Sequence, residues 1–375
     1  MNRLRQTLAV LTAAALMMTG LAACSSDSSS TTAATTTTAA VTTATAASET
    51  TGSETAGTSA AESESKTSSI SDDTVAALKT GLAVDTSLSS SADATDEADG
   101  LAQADSSVVA VLVDAEGKIA AISIDAAQTK VTFDKTGKIT SDVKAELKTK
   151  KELGADYGIN WDEQVQALED YCVGKTIAEI KGISLNADGA ADGVDALSTV
   201  TISISGIINT VEEAINNAQD LGASTGDSLK LAVVTTTASS VSVGEDSDAP
   251  EQGTAEIDST YAAVSLDDQD VITSAVLDAS KAPVQFDATG TLVTDTTQAV
   301  KSKNILGTDY GMSAQATKGE WDVQARAFAD YIVGKTPAEA AGLAVAEDGT
   351  AADADLLSSV TIHIGDFLSA LKKLA

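Results

Sequence analysis

Short runs of β-branched and aliphatic residues alternate with turn sequences over residues 107–138. Residues 107–113 and 119–124 are two such runs, and Gly117 between them can take the positive φ of a hairpin turn. A further strand is predicted over residues 130–133. The pattern therefore predicts an antiparallel, meander-type sheet.

Helical periodicity follows these strands. Residues 141–152 are rich in Lys, Glu, Ala and Leu and are predicted to form a helix. Residues 161–173 are predicted to form a second helix, because large apolar residues recur there on one face. These residues are Trp161, Val165, Leu168 and Cys172. Thr176 and Glu179 have the spacing of a capping box and predict a short third helix. A stripe of isoleucines predicts the last helix over residues 202–218.

The whole series of strands and helices occurs a second time. Matching pairs include Asp125 with Asp278, Phe133 with Phe286, Tyr157 with Tyr310, Trp161 with Trp321 and Tyr171 with Tyr331. Each copy has the size of an ordinary domain. The sequence therefore predicts an α+β fold of two tandem homologous domains, residues 73–220 and 226–375. Each is expected to be an antiparallel sheet with helices packed on it, and to fold separately.

The N-terminus has the pattern of an exported lipoprotein. Arg3 and Arg5 precede an apolar run that is too short to span a bilayer, and Cys24 follows Leu21 and two alanines. The pattern resembles the lipobox of bacterial lipoproteins, whose cysteine is acylated and becomes the new N-terminus. It predicts a signal peptide over residues 1–23, lipidation at Cys24 and a location on the extracytoplasmic face of the bacterial cell membrane.

The amino-acid composition predicts a flexible tether, and the net charge argues against two classes of partner. Residues 24–72 are almost wholly small and polar, so they bury too little apolar surface to offset the entropy of ordering. We predict a disordered tether between the membrane and the folded domains. The formal net charge of −32 argues against nucleic acid and against electrostatic adhesion to anionic lipid. The lipid anchor is therefore expected to hold the protein at the membrane.

The reactive side chains are few. Cys172 corresponds to Ile332 in the second copy, so we expect an apolar core position for it and not a redox role. The single histidine, His363, corresponds to Ser203, which argues against a catalytic role for it.

One motif closes both copies. An acidic residue, a serine and a threonine recur at the same spacing, and an apolar segment follows the threonine. They are Asp195, Ser198 and Thr201 in the first copy and Asp355, Ser358 and Thr361 in the second. With the preceding strands and helices, this threonine motif resembles the closing motif of the bacterial FMN-binding domain, Asp-x-[Leu/Val]-[Ser/Thr]-Gly-Ala-Thr.

The resemblance implies covalent FMN. In that family the final threonine carries FMN through a phosphoester bond made by a dedicated flavin transferase, which points to Thr201 and Thr361 as attachment sites. The family's Gly-Ala pair is replaced in both copies. The replacing residues are Thr199 and Val200, and Ser359 and Val360. Branched side chains beside the threonine leave less room for a phosphate ester than the Gly-Ala pair does. The second copy is the better candidate for attachment, because Ser359 is less bulky than Thr199.

Two hypotheses of different classes follow. In the first, the protein is a lipid-anchored flavin-based electron carrier with an extracytoplasmic redox partner. In the second, it is a non-catalytic envelope lipoprotein that binds a ligand or partner, and the threonine motif only caps and begins the last helix. The repeated Trp and Tyr side chains fit either a core or a surface that stacks on a flavin.

Overall fold

The described part of the chain combines antiparallel strands and helices, which confirms the predicted α+β fold. A computed structural model describes residues 75–314 and 316–375. The predicted signal peptide over residues 1–23, the lipidation site Cys24 and the predicted tether over residues 24–72 lie outside these ranges. No helix within the ranges is both long and apolar enough to cross a membrane.

Within the described residues, seven strands form two antiparallel sheets. The first sheet contains β1 (Ala77–Ser87), β2 (Gly100–Val113), β3 (Ile119–Phe133) and β4 (Gln219–Ser224), in the spatial order β3-β2-β1-β4. The second contains β5 (Ser228–Thr236), β6 (Gln252–Leu266) and β7 (Ile272–Asp287), in the order β5-β6-β7. The strands predicted over residues 119–124 and 130–133 are thus parts of one continuous strand, β3.

The helices follow the strands in each copy, which we call the first and the second repeat. The first repeat has α1 (Lys150–Leu153), α2 (Trp161–Cys172), α3 (Ile177–Lys181) and α4 (Ser205–Asn216). The second has α5 (Lys303–Leu306), α6 (Trp321–Ile332), α7 (Pro337–Ala341), α8 (Ala354–Leu357) and α9 (Gly365–Leu374). In the described ranges, four short 3₁₀ turns cover Gly154–Tyr157, Asp195–Leu197, Gly307–Tyr310 and Met312–Ala314. The predictions of α2, α3 and α4 are confirmed within a few residues.

The prediction of a helix over residues 141–152 is wrong for most of that segment. The segment is helical only from Lys150, because Thr149 starts a new helix there with a capping box to Glu152. Upstream, the carbonyl of Val143 accepts a bond from Thr237 Oγ1 of the second repeat at 3.0 Å. This backbone group is therefore used by a distant part of the chain, and the local helical preference is overridden.

Strand β1 was not predicted and lies inside the first sheet. It pairs with β2 on one side and with β4 on the other. Strand β4 runs past the predicted end of the first domain at residue 220 and completes the sheet of that domain. Gly81 lets helix α4 lie directly against β1, because a Cβ at this position would collide with the carbonyl oxygen of Ala214.

Each repeat has a core of its own, and two further clusters join the repeats. Helices α2 and α4 pack on the first sheet, and α6 and α9 pack on the second. One shared cluster contains Phe133 and Phe286, whose rings stack at 3.9 Å between centroids. The other contains Leu82 and Val108 with the fully buried Tyr261. The described residues consequently form one compact unit.

The contacts between the repeats are reciprocal. The N–H of Ala94 donates to the carbonyl of Gly290 at 2.8 Å, and the N–H of Val243 donates to the carbonyl of Gly137 at 2.9 Å. Gly137 and Gly290 are matching positions, so each repeat donates one such bond to the other. The repeats therefore meet as the subunits of a twofold dimer do, although they belong to one chain.

Candidate functional site

The apolar residues of the threonine motif anchor it in the core of each repeat. Leu197, Val200, Leu356 and Val360 are at most 2% exposed. Val200 and Val360 stand where the FMN-binding family has alanine, and their side chains are buried among other apolar groups. Their extra bulk is therefore accommodated inside the protein.

The two threonines lie at the surface, a short distance before the last helix. Helix α4 begins at Ser205 and helix α9 at Gly365, so Thr201 and Thr361 precede the helix N-terminus and do not form part of it. Between each threonine and its helix the backbone bonds elsewhere. In the first repeat, for example, the N–H of Ile204 donates to a turn carbonyl at 2.8 Å.

A glutamine holds each threonine, and sequence reasoning did not find it. Gln164 Oε1, on α2, accepts bonds from the N–H and the hydroxyl of Thr201 at 2.7 and 3.2 Å, and from the N–H of Ile202 at 3.1 Å. Gln324 Oε1, on α6, accepts the same pair from Thr361 at 2.7 and 3.0 Å. The sequence feature that could have revealed this contact is that both repeats have glutamine at this position.

These bonds bear on whether a phosphate ester fits. The N–H groups of Thr201, Ile202 and Thr361 are already bonded to the side-chain oxygens of the glutamines. The threonine hydroxyls donate to the same oxygens. A flavin attached at Thr201 or Thr361 would therefore replace the hydroxyl bond to Gln164 or Gln324.

The remaining motif residues are also placed at the surface. Asp195 lies in a 3₁₀ turn, and Ser198 follows as its C-terminal cap. Ser358 Oγ donates to the carbonyl of Asp355 at 2.7 Å. Partial desolvation and the nearby Asp353 and Asp355 carboxylates raise the pKa of Tyr331. The motif thus gathers polar groups at an exposed turn.

The repeated aromatic residues divide between the core and the surface. Trp161 and Trp321 are buried at 4% and 6% exposure, as helix-face residues of α2 and α6. Tyr310 is 36% exposed, and Lys303 Nζ lies 5.2 Å from its ring centroid. Lys335 Nζ donates to the backbone carbonyl of Tyr331 in the last turn of α6. This is the usual contact of a basic side chain at a helix C-terminus.

A second candidate site is a cleft of about 470 Å³ between the two repeats. We call it the repeat cleft. The first repeat contributes residues of β1, the C-terminal end of α4 and Gln219 at the start of β4. The second repeat contributes residues of β7, α5 and α6. No residue of the two threonine motifs is among the described residues that line it. The acids and threonines of the two motifs therefore do not contribute to this cleft.

The polar floor of the repeat cleft is the carboxylate of Asp278. Asp278 is 5% exposed and accepts bonds from the N–H groups of Ala279 at 2.7 Å and Asn304 at 3.0 Å. Burial raises the pKa of Asp278 to about 6, although its hydrogen bonds, the one from Ser302 foremost, act to lower it. Asp125 makes the equivalent backbone bonds in the first repeat, and burial raises its pKa as well.

Two further charged residues of α6 line the cleft. The Oδ1 atom of Asp322 is buried and has no hydrogen-bond partner among the described residues. Arg326 binds Asp330 through Nε at 2.9 Å and Gln219 through Nη1 at 3.1 Å. Arg326 is thus engaged with groups other than the cleft carboxylates.

In the first repeat, side chains fill the space that corresponds to the repeat cleft. Lys151 Nζ lies 2.8 Å from Glu169 Oε1, and that oxygen also accepts the N–H of Ile124 at 2.6 Å. The counterparts of Lys151 and Glu169 are Asn304 and Ala329, both lining the cleft. The shorter side chains of the second repeat therefore leave the space open.

Comparisons with models of protein families, with curated proteins and with solved structures find no match to this chain.

Proposed function

We propose that this chain is a non-catalytic, lipid-anchored binding protein of the bacterial envelope, and that its ligand occupies the repeat cleft. The observation that supports the proposal is a concave site at the junction of two repeats, with apolar walls and a few buried polar groups. Such sites are the usual location of small-molecule binding. Asp278 and Asp322 supply the polar groups, and both come from the second repeat.

The threonine motif has a structural role in this proposal. Its apolar residues are buried, and its threonines are bonded to glutamines of α2 and α6 in both repeats. The motif thereby ties the chain before the last helix to a neighbouring helix. The same arrangement in two repeats is accounted for by a shared folding requirement.

The binding proposal is tested by filling the cleft. Asn304→Lys with Ala329→Glu installs the ion pair of the first repeat, and we call this double substitution the filled variant. Ligand-observed NMR with a panel of small organic compounds should detect compounds that bind the original chain and not the filled variant. Circular dichroism establishes that the filled variant is folded. A panel with no compound that distinguishes the two proteins would contradict the proposal.

A flavin-based electron carrier is the second candidate function. It is favoured by the exposed positions of Thr201 and Thr361, which a flavin transferase could reach. Covalent FMN at these threonines would supply the redox chemistry, with Asp195, Ser198, Asp355 and Ser358 beside it and an extracytoplasmic redox partner.

Mass spectrometry separates the two functions. Protein made with an active flavin transferase and FMN would gain one FMN mass for each modified threonine, and Thr361 would be modified before Thr201. Thr201→Ala and Thr361→Ala would each remove one addition. Unchanged mass, with the transferase active on a known substrate, would eliminate the electron-carrier function.

The membrane anchor is tested by fractionation. Acylated Cys24 holds the chain at the membrane in both proposals, since the strong negative charge gives no attraction to anionic lipid. Cys24→Ala should therefore move the protein from the membrane fraction to the soluble fraction. A variant that stays with the membrane after a high-salt wash would show that the anchor lies elsewhere.

A further inference from the structure

The first repeat shows which groups complete the position equivalent to the repeat cleft. Lys151 of the first repeat and Lys373 from α9 of the second repeat are each paired there with a carboxylate of the first repeat. Lys151 Nζ is 2.8 Å from Glu169, and Lys373 Nζ is 2.7 Å from Glu152. In this repeat the buried Asp125 therefore has the Lys151 ammonium group nearby.

The repeat cleft has neither of these ion pairs. The counterparts of Lys151 and Glu169 are Asn304 and Ala329. The counterparts of Lys373 and Glu152 are Glu213 and Ile305. All four of these residues line the repeat cleft, Glu213 from α4 of the first repeat and the other three from the second repeat. The cleft thus lacks both ammonium groups and gains the carboxylate of Glu213, while Asp278 and Asp322 remain.

The protein leaves part of this negative charge without a partner. Asp322 Oδ1 is buried and unbonded among the described residues, and Asp278 is hydrogen-bonded only to neutral donors. The Lys303 ammonium group acts on Asp278 through space and lies over the rings of Tyr310 and Trp321. The only guanidinium in the lining, that of Arg326, binds Asp330 and Gln219. A buried carboxylate without a directly bonded counter-charge is costly, and a cation that enters the cleft would relieve that cost.

The rest of the wall is apolar. The large apolar side chains that line the cleft are Leu82, Val84, Val276, Leu277, Ile305 and Val323. A ligand that fits these walls and the carboxylates together has an aliphatic body and a positively charged end.

We propose that the repeat cleft binds an aliphatic primary amine, whose ammonium group substitutes for the lysine ammonium groups that pair with carboxylates at the equivalent position of the first repeat. The body of the amine lies against the apolar walls, and the ammonium donates to Asp278 and Asp322. This inference rests on the proposed binding function, and it adds the chemical class of the ligand.

The test compares three compounds with one carbon chain and different charge. Hexylamine, hexanol and hexanoate are titrated into the full chain at neutral pH by isothermal calorimetry. We expect hexylamine to bind at least ~10-fold more tightly than the other two, because only it forms charge-assisted hydrogen bonds with the carboxylates. Asp322→Asn should weaken hexylamine ~10-fold, whereas Asp162→Asn in the first repeat should leave it unchanged.

The filled variant controls for the acidity of the whole protein. It adds one positive and one negative charge, so its net charge and its general attraction for amines are unchanged. Loss of hexylamine binding in the filled variant supports the proposal. Binding of hexanol or hexanoate as tight as that of hexylamine, again lost in the filled variant, would overturn the amine class and leave the binding function standing. Equal behaviour of all three compounds with both proteins would overturn both.

Discussion

At the scale of single residues, the most informative feature is a buried carboxylate that occurs once in each repeat. Asp125 and Asp278 sit at matching positions of β3 and β7 and accept the same backbone N–H bonds. These bonds hold the start of α1 or α5 against the strand. Burial nevertheless disfavours the charged form, so both side chains cost stability when they are ionised.

The titration of Asp278 predicts how stability depends on pH. Its pKa is 3.8 ordinarily and about 6 in the folded protein, so the folded state binds the proton more tightly within this interval. Its contribution to stability therefore falls as pH rises through the interval and is constant above it. Asp278→Asn should raise the free energy of unfolding at pH 7 by up to ~3 kcal/mol, and much less at pH 4.

Urea unfolding of both proteins at the two pH values measures this difference. Asp295→Asn is the control, because hydrogen bonds from Thr297 lower the pKa of that exposed carboxyl. It should give no gain at neutral pH. An equal gain from Asp278→Asn at both pH values would contradict the assignment.

At the scale of elements, the glutamine contact links one helix to the segment that precedes another. Gln324 is fully buried on α6, accepts two bonds from Thr361 and donates to the carbonyl of Gly319 at 3.2 Å. The turn before α9 is therefore fixed by a side chain from a different element. Gln164 does the same for the turn before α4.

Removal of this contact should destabilise the protein. Gln324→Met keeps the length of the side chain and leaves the N–H of Thr361 without its acceptor, which should lower the free energy of unfolding by ~1–3 kcal/mol. Gln166→Met on the exposed face of α2 is the matched control and should change it by less than ~0.5 kcal/mol. Chemical denaturation measures both, and equal effects would show that the buried bond is unimportant.

At the scale of the whole molecule, the repeats are joined by contacts that each makes to the other. Phe133 and Phe286 are fully buried and stack at 3.9 Å with nearly parallel rings. The reciprocal bonds from Ala94 and Val243 lie beside them. These contacts lead us to expect that loss of one repeat weakens the other, and the separate folding predicted from the duplication is open to direct test.

Each repeat contains one of the two tryptophans, which makes the test possible. Phe286→Ala should lower the free energy of unfolding by ~3–5 kcal/mol. Trp161→Phe and Trp321→Phe backgrounds leave fluorescence from one repeat at a time. We expect Phe286→Ala to shift the transition of both tryptophans equally, because the cluster is shared. A shift confined to Trp321 would show that the repeats unfold separately.

The sequence by itself determined the local elements and the duplication. Helix α2, the capping box of α3 and the isoleucine-rich helix α4 follow from patterns that lie within one short segment. The core position of Cys172 followed from its apolar counterpart; the thiol is fully buried, and burial raises its pKa to about 12. Such features can be predicted because burial on one helix face repeats every three or four residues.

Only the tertiary structure decided how these elements meet. The failed helix over residues 141–152, the inner position of β1 and the glutamine contacts all depend on partners far away in sequence. The repeat cleft depends on Asn304 and Ala329, which are informative only once they are seen opposite β1 and α4. Periodicity reports which face of an element is buried, but it does not report what covers that face, because the covering groups come from another part of the chain.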